Sequence, residues 1–163
     1  MDTNSTIIGN KLIYNEIAKA LRIPNSVRKI NLKQIDHGII SIDNLVEHAI
    51  SKLGKIERSN ITGQDFVDGS DAKKCTVSGE TGRRANISNC KNKKGILRVI
   101  VADEKTNEVY YFKVPHKYYK GLDVFKILFA ADGGRSTKGR SKLTISENIW
   151  DNCQVKNIYE FSN

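Results

Sequence analysis

The chain has 163 residues, of which 27 are Lys or Arg and 18 are Asp or Glu, and its formal net charge at pH 7 is +9. This length suits one domain, and the basic balance favours a polyanionic partner, because phosphate contacts release condensed counterions. Three cysteines at wide spacing, Cys75, Cys90 and Cys153, exclude a disulfide framework and a CxxC zinc site, and no apolar run approaches the roughly 18 residues that span a membrane.

The first part of the chain predicts three helices. Apolar residues recur at helical spacing over residues 12–21, and a second helix should begin with Asn25 as its cap. A third helix follows, with Ser41 or Asp43 as the capping residue and Gly54 as the left-handed residue that ends it. We therefore expect residues 1–54 to form an N-terminal helical part of the domain.

Beyond this point the hydrophobic period changes to that of strands. Residues 68–70 have turn chemistry, and residues 72–77 predict a strand. Residues 96–102 and residues 108–114 predict two further strands. The polar segment between these two strands is typical of a hairpin turn, so we expect them to pair antiparallel.

The C-terminal part of the chain is more varied. We expect a short helix within residues 116–131, a mobile glycine-rich loop over residues 132–142, and the last strands over residues 143–145 and 155–161. Helices followed by strands indicate one α/β or α+β domain over residues 1–163, with a central mixed sheet flanked by helices.

One acidic cluster carries the strongest chemical signal. Asp65, Asp68 and Asp71 fall within seven residues, and Lys73 follows at a spacing that places it on the same face of a strand as Asp71. Phosphodiester hydrolysis commonly uses Mg²⁺ held by carboxylates, with a lysine that orients water or stabilises the phosphate charge. The plainer interpretation is a solvated surface turn.

The segment Asp71-Ala72-Lys73 resembles the D-x-K half of the PD-(D/E)XK nuclease motif, which many restriction endonucleases share. The resemblance implies that Asp71 and Lys73 are catalytic, that Asp65 or Asp68 supplies the upstream acid, and that helical Glu47 lies near the metal. Other candidates for the upstream acid are Asp36, Asp43, Glu47 and Glu57. The function implied is a Mg²⁺-dependent endonuclease for double-stranded DNA, most simply a homodimeric type II restriction enzyme.

Two basic runs are candidates for DNA contacts. The first contains Arg83, Arg84, Lys91, Lys93, Lys94 and Arg98, and the second contains Arg135, Lys138, Arg140 and Lys142. Asn86, Ser88, Asn89 and Asn92 lie within the first run, and such amides and hydroxyls suit phosphates and base edges. Either run could also be an ordinary solvated face.

A second hypothesis is a DNA-binding protein without catalytic activity. Residues 14–28 resemble the first helix and turn of a helix-turn-helix, and residues 26–35 would be the recognition helix, with Arg28, Lys29 and Lys33 exposed. A third possibility is a nuclease or toxin that acts on RNA. The first residues lack the basic and apolar segments of a secretory signal, so we expect a cytoplasmic protein with free thiols.

Overall fold

The computed structural model of the chain describes residues 4–78, 83–128, 153 and 156–161. Within these residues the chain forms helices first and strands afterwards, which confirms an α+β fold with an N-terminal helical part. The helices of that part are α1 (Asn4–Ala20), α2 (Asn25–Asp36) and α3 (Ile42–Gly54). No helix of the described residues is long and apolar enough to cross a membrane.

The helix ends follow local chemistry, with two corrections. Ser41 caps α3, because its Oγ accepts a hydrogen bond from the Asn44 N–H at 3.4 Å. The left-handed residue after α3 is Lys55 (φ 51°) rather than Gly54, since the helix continues through Gly54 and the Lys55 N–H bonds to the Ser51 carbonyl. Asn25 is the first helical residue of α2 and not its cap, a position that Pro24 takes without a side-chain bond.

The main sheet is mixed, as expected. Its strands are β1 (Asp71–Thr76), β3 (Leu97–Asp103), β4 (Glu108–Val114) and β6 (Lys156–Asn157), in the order β1-β3-β4-β6. β3 and β4 form the antiparallel hairpin that the sequence predicts, with Asp103 opposite Glu108. β1 runs parallel to β3, with Asp71 opposite Leu97, and is therefore an edge strand of this sheet.

A second, smaller sheet was not predicted from the sequence. It pairs β2 (Arg84–Ile87) with β5 (Phe125–Leu128) antiparallel. β2 lies inside the first basic run, and β5 lies in the region where only a short helix was expected. That helix exists as α4 (His116–Tyr119).

The main sheet has a core on each face. On one face Val99 and Phe112 pack with Ile127 of the second sheet, and the partly buried Cys75 packs against them. On the other face Ile100 and Tyr111 pack with α1 and α3, and Ala72 of β1 joins this cluster. Successive residues of β1 therefore face the second sheet and the helices in turn.

The remaining predictions concern the cysteines and the end of the chain. The three cysteines are free, and Cys90 and Cys153 are buried. The strand expected over residues 155–161 is wrong for most of its length, because after β6 the chain turns into a 3₁₀ helix (Ile158–Phe161). The predicted loop at 132–142 and the strand at 143–145 lie outside the described residues.

Candidate active site

A polar groove of about 360 Å³ lies along the outer edge of β1. Helix α3 forms one wall, β1 forms the floor, and the end of β2 with the residues after it forms the opposite wall. The lining residues are Asp43, Val46, Glu47, Ala72, Lys73, Lys74, Asn86, Ser88 and Asn89. The groove thus combines acidic, basic and amide side chains from three separate elements.

Two carboxylates meet at the α3 side of the groove. Glu47, in the middle of α3, forms an ion pair with Arg58 at 2.7 Å. Burial raises the pKa of Glu47, and a hydrogen bond with the Asp65 carboxylate raises this pKa further, against the lowering effect of Arg58. Asp65 is fixed in turn, because it accepts a hydrogen bond from the Ala72 N–H of β1 at 2.7 Å. Two neighbouring carboxylates offer the oxygen ligands that a divalent cation binds.

Asp71 lies at the start of β1 and is only 4% exposed. The ammonium of Lys93 lies 3.3 Å from its Oδ1, within ion-pair distance. That same oxygen accepts no hydrogen bond, so the ammonium is close to it but not directed at it. Asp71 is therefore a buried carboxylate with an incomplete set of partners, which is a costly arrangement in a protein interior.

Lys73 and Lys74 leave β1 on opposite faces, as strand alternation predicts. Lys73 is half-buried, and its Nζ donates to the Asn89 carbonyl at 3.3 Å. Asn89 has a left-handed backbone (φ 59°), and its carbonyl lies within reach of this ammonium. Lys74 pairs with Asp43 of α3 at 3.6 Å. Both lysines reach the groove, but only Lys73 is on the face of Asp71.

Asp68 has a structural role that the sequence did not indicate. Its Oδ1 accepts a hydrogen bond from the Ser70 N–H at 2.9 Å, and its Oδ2 accepts one from Arg98 at 2.9 Å. Burial opposes ionisation of Asp68, but the bonds from Ser70 and Arg98 outweigh it and lower its pKa to about 2. Asp68 thus links the turn before β1 to a buried arginine, and both of its carboxylate oxygens already accept hydrogen bonds, whereas it was predicted as a catalytic or metal-binding residue.

Arg98 anchors this turn through its hydrogen bonds and is buried, so it is not a DNA contact. Its guanidinium is buried, donates to the Tyr111 hydroxyl at 2.8 Å and to the Ser70 hydroxyl at 2.8 Å, and lies 5.9 Å from the centre of the Phe66 ring. These contacts hold the Arg98 guanidinium inside the core between the sheet and the helices.

The predicted acidic residues therefore separate into different places. Asp65 and Glu47 meet on the helix side of β1, whereas Asp71 faces the second sheet. In the part of the chain that the structure describes, no three Asp, Glu, His or Cys side chains are grouped closely enough to hold a metal ion.

The residues of the first basic run also lie in different environments, some buried and some exposed. Arg83 is buried in an ion pair with Asp103, so its assignment as a DNA contact is corrected: the fold needs its charge inside. The Lys93 ammonium lies within ion-pair distance of Asp71. Arg84, Lys91 and Lys94 are exposed and are the members of the run that can reach a polyanion. Arg135, Lys138, Arg140 and Lys142 lie outside the described residues.

The helical pair that resembles a helix-turn-helix is present. The turn between α1 and α2 passes through Arg22, which has a left-handed backbone (φ 62°), and Asn31 of α2 donates to the Tyr14 hydroxyl of α1 at 2.6 Å. Lys29 and Lys33 are exposed as predicted. Arg28 is half-buried and donates to the Ile23 carbonyl at 2.8 Å, so it stabilises the turn.

Two partners in this site escaped the sequence analysis. Arg58 pairs with Glu47, and Lys93 pairs with Asp71, and both contacts join residues that are distant in the chain. No local pattern announces such contacts. In comparisons with known proteins, no family model, curated protein or solved structure matches this chain.

Proposed function

We propose that the chain is a Mg²⁺-dependent endonuclease that hydrolyses phosphodiester bonds of double-stranded DNA. The observation that carries the proposal is the groove along β1, which brings Glu47 and Lys73 together and has Asp65 hydrogen-bonded to Glu47 beside it. A paired carboxylate next to a lysine is the side-chain set that metal-assisted phosphodiester hydrolysis requires. The net charge of +9 supports a nucleic-acid substrate.

Two of the acidic residues, Glu47 and Asp65, offer oxygen ligands of the kind that a hard divalent cation binds. Burial and a hydrogen bond with the Asp65 carboxylate raise the pKa of Glu47, and Asp71 has a buried oxygen without a hydrogen bond. Glu47 and Asp65 are the residues that would hold Mg²⁺, whereas Asp71 lies on the opposite face of β1. When bound, Mg²⁺ would neutralise charge on the phosphate and make water easier to deprotonate.

The other polar residues have distinct parts in this proposal. Lys73, held by the Asn89 carbonyl, stabilises the negative charge that develops on the phosphate or orients the attacking water. Asn86 and Ser88 form the opposite wall, where amide and hydroxyl groups contact the sugar-phosphate backbone or base edges. Exposed Arg84, Lys91 and Lys94, with the second basic run, bind phosphates along the duplex.

Cleavage of both strands at a palindromic site needs two active sites related by a twofold axis. A small chain with one such site therefore acts as a homodimer, in the manner of a type II restriction enzyme of the cytoplasm. Gel filtration with light scattering, with and without a DNA duplex, tests this part of the proposal separately.

The test of the activity compares four proteins on plasmid and phage DNA, with Mg²⁺ or with EDTA. The wild type and Lys52→Met, a control at an exposed lysine of α3, should cut DNA into discrete fragments only with Mg²⁺. Lys73→Met and Glu47→Gln should not cut. Intact DNA in all Mg²⁺ reactions would contradict the proposal, and cleavage of RNA alone would move it to an RNA substrate.

The alternative is a helix-turn-helix protein that binds DNA without cutting it. The observation that favours it is the left-handed turn at Arg22 between two packed helices, with Lys29 and Lys33 exposed on the second. A salt-sensitive gel shift in EDTA that Lys29→Ala and Lys33→Ala weaken, together with no cleavage in Mg²⁺, would select this alternative.

A further inference from the structure

A second cavity, of about 280 Å³, adjoins the groove on the side of the N-terminal helices. Its walls come from α1, the end of α2, the start of α3 and β1, and they include Asn10, Ile35, Ile40 and Lys74. Asp43 and Lys74 line both this cavity and the groove, so the two spaces are neighbours along the same edge of β1. A chain molecule lying in the groove can therefore continue into the second cavity.

The wall between α2 and α3 is held by local hydrogen bonds. The Gly38 N–H donates to the Ile35 carbonyl at 3.1 Å, and Gly38 has a left-handed backbone (φ 71°). The Ile39 N–H donates to the Gln34 carbonyl at 2.9 Å, and Ser41 caps α3. Since the closed end of one helix and the capped start of the next form this wall, little ordering is needed when a ligand binds.

The second cavity offers two kinds of contact surface. Ile35 and Ile40 are apolar and belong to the small core between α1, α2 and the start of α3. Asn10 of α1 adds a half-buried side-chain amide, which can both donate and accept hydrogen bonds. A nucleobase has the matching combination, because its faces stack on apolar groups and its edge carries donors and acceptors that asparagine can pair with.

Lys74 lies at the junction of the two cavities and has an exposed counter-ion. Its ammonium is 3.6 Å from Oδ1 of Asp43, and the side chain of Asp43 is 77% exposed, against 25% for that of Lys74. An ion pair with so exposed a carboxylate contributes little free energy, because water solvates the carboxylate equally well. A phosphate that enters the junction can therefore replace Asp43 as the partner of Lys74.

We infer that the second cavity is a subsite for the nucleotide next to the phosphate at Lys73: Asn10 contacts the base edge, and Lys74 exchanges Asp43 for the intervening phosphate. This inference rests on the proposed function, because it takes the groove to hold a nucleic-acid strand. Asp43 is then a competitor of the substrate for Lys74. Binding at the subsite involves only side chains of the protein, so it can be measured in EDTA, where no cleavage is expected.

The first test measures the affinity for a fluorescently labelled DNA duplex in EDTA at several salt concentrations. Lys74→Met should weaken binding and reduce the slope of log affinity against log salt by about one, as expected for one lost phosphate contact. Lys52→Met, at an exposed lysine of α3, should keep the wild-type slope. Asp43→Asn should tighten binding by up to about fivefold, because Lys74 loses its competing partner.

The control for Asp43→Asn is Asp36→Asn, which makes the same charge change in another ion pair, that of Asp36 with Lys11. Asp36→Asn should change the affinity less than Asp43→Asn does. In the Lys74→Met background, Asp43→Asn should lose its effect, because the two residues act through one contact.

The second test concerns the base contact. Asn10→Ala should weaken duplex binding by at least about fivefold, the lower end for a side chain that pairs with a base edge. Asn15→Ala is the control, since Asn15 is a half-buried asparagine of the same helix and is not among the lining residues of the cavity. This variant should keep the wild-type affinity.

Binding in EDTA and cleavage in Mg²⁺ separate the subsite from the proposed function. Equal affinities of Asp43→Asn and Asp36→Asn, or of Asn10→Ala and Asn15→Ala, overturn the inference, and so does an absence of duplex binding by the wild type. The expected differences in affinity without cleavage by the wild type keep the subsite and remove the nuclease proposal. If Lys74→Met does not fold, the comparison of the two aspartate variants decides.

Discussion

Asp68 and Asp71 stand on either side of the same short turn, and the structure treats them in opposite ways. Both oxygens of Asp68 accept hydrogen bonds, from Ser70 and from Arg98. Asp71 is more deeply buried, yet its Oδ1 has only a nearby ammonium and no hydrogen bond. The first arrangement stabilises the fold, and the second leaves binding capacity unused at a cost in stability. Hydrogen bonding of the carboxylate oxygens, rather than burial, is what distinguishes these two aspartates.

The largest expected effect is on cleavage, and it falls on Asp71. Asp71→Asn should reduce Mg²⁺-dependent cleavage by at least about a hundredfold, since the variant keeps the shape but lacks the negative charge of the D-x-K acid on the face of Lys73. Asp68→Asn, assayed well below its unfolding temperature, should retain cleavage. Initial rates on a plasmid substrate measure both. Equal losses in the two variants would remove the distinction between the aspartates.

The free energy of unfolding should show the opposite order, with a larger effect at the contacts of Asp68 than at Asp71. Arg98→Met should lower the free energy of unfolding by about 2–3 kcal/mol, somewhat less than for a fully buried ion pair, because the Asp68 side chain is 37% exposed. Asp71→Asn should leave it unchanged or raise it, because burial of a charge is relieved. Urea unfolding followed by tryptophan fluorescence and circular dichroism compares the variants at pH 7. A clear loss of stability in Asp71→Asn would assign Asp71 to the fold.

The pH dependence of stability gives a separate test of the role of Asp68. The pKa of Asp68 is lowered to about 2 in the folded protein, below its usual 3.8. Its contribution to stability is therefore fully present above pH 4 and is lost as the pH falls toward 2. The stability difference between the wild type and Asp68→Asn should shrink over this interval, as measured by thermal unfolding. A difference that stays constant down to pH 2 would contradict the role given to Arg98 and Ser70.

The smallest effect is expected at Glu47. Burial and the Asp65 carboxylate raise the pKa of Glu47, so the folded state holds its proton more firmly than the unfolded state does. Ionisation then costs stability as the pH rises through and above the usual 4.5. Glu47→Gln should gain thermal stability relative to the wild type between pH 4 and pH 7. Glu57→Gln, at an exposed position, should show no such trend.

The sequence predicts what depends on neighbours along the chain. The hairpin of β3 and β4 follows from apolar runs around a polar turn, and Ser41 follows from its capping chemistry. β2 was not predicted because it has only four residues and lies within a basic run. Its alternation of Arg84 and Asn86 with buried Ala85 and Ile87 is too short to stand out there. Its partner β5 comes from a distant segment, so only tertiary pairing defines the small sheet.

The candidate site was predicted in part, for the same physical reason. The D-x-K spacing places Asp71 and Lys73 on one face of a strand, and the structure forms that strand. The partners that decide which carboxylate is available, namely Arg98, Lys93 and Arg58, arrive from other elements. Charge counts alone could not show that Arg83 and Arg98 are inside the protein.

The edge position of β1 has a consequence for how the protein behaves at high concentration. An edge strand can add a strand from another molecule, and charged side chains along it discourage such pairing. Lys73 and Lys74 lie on this edge, and the Asp65 carboxylate already occupies the Ala72 N–H. These side chains thus discourage edge-to-edge strand pairing at β1, which is separate from a homodimer formed through another face. Variants that remove both lysines would leave this edge without its positive charges, so a cleavage assay on them should be accompanied by a measurement of aggregation.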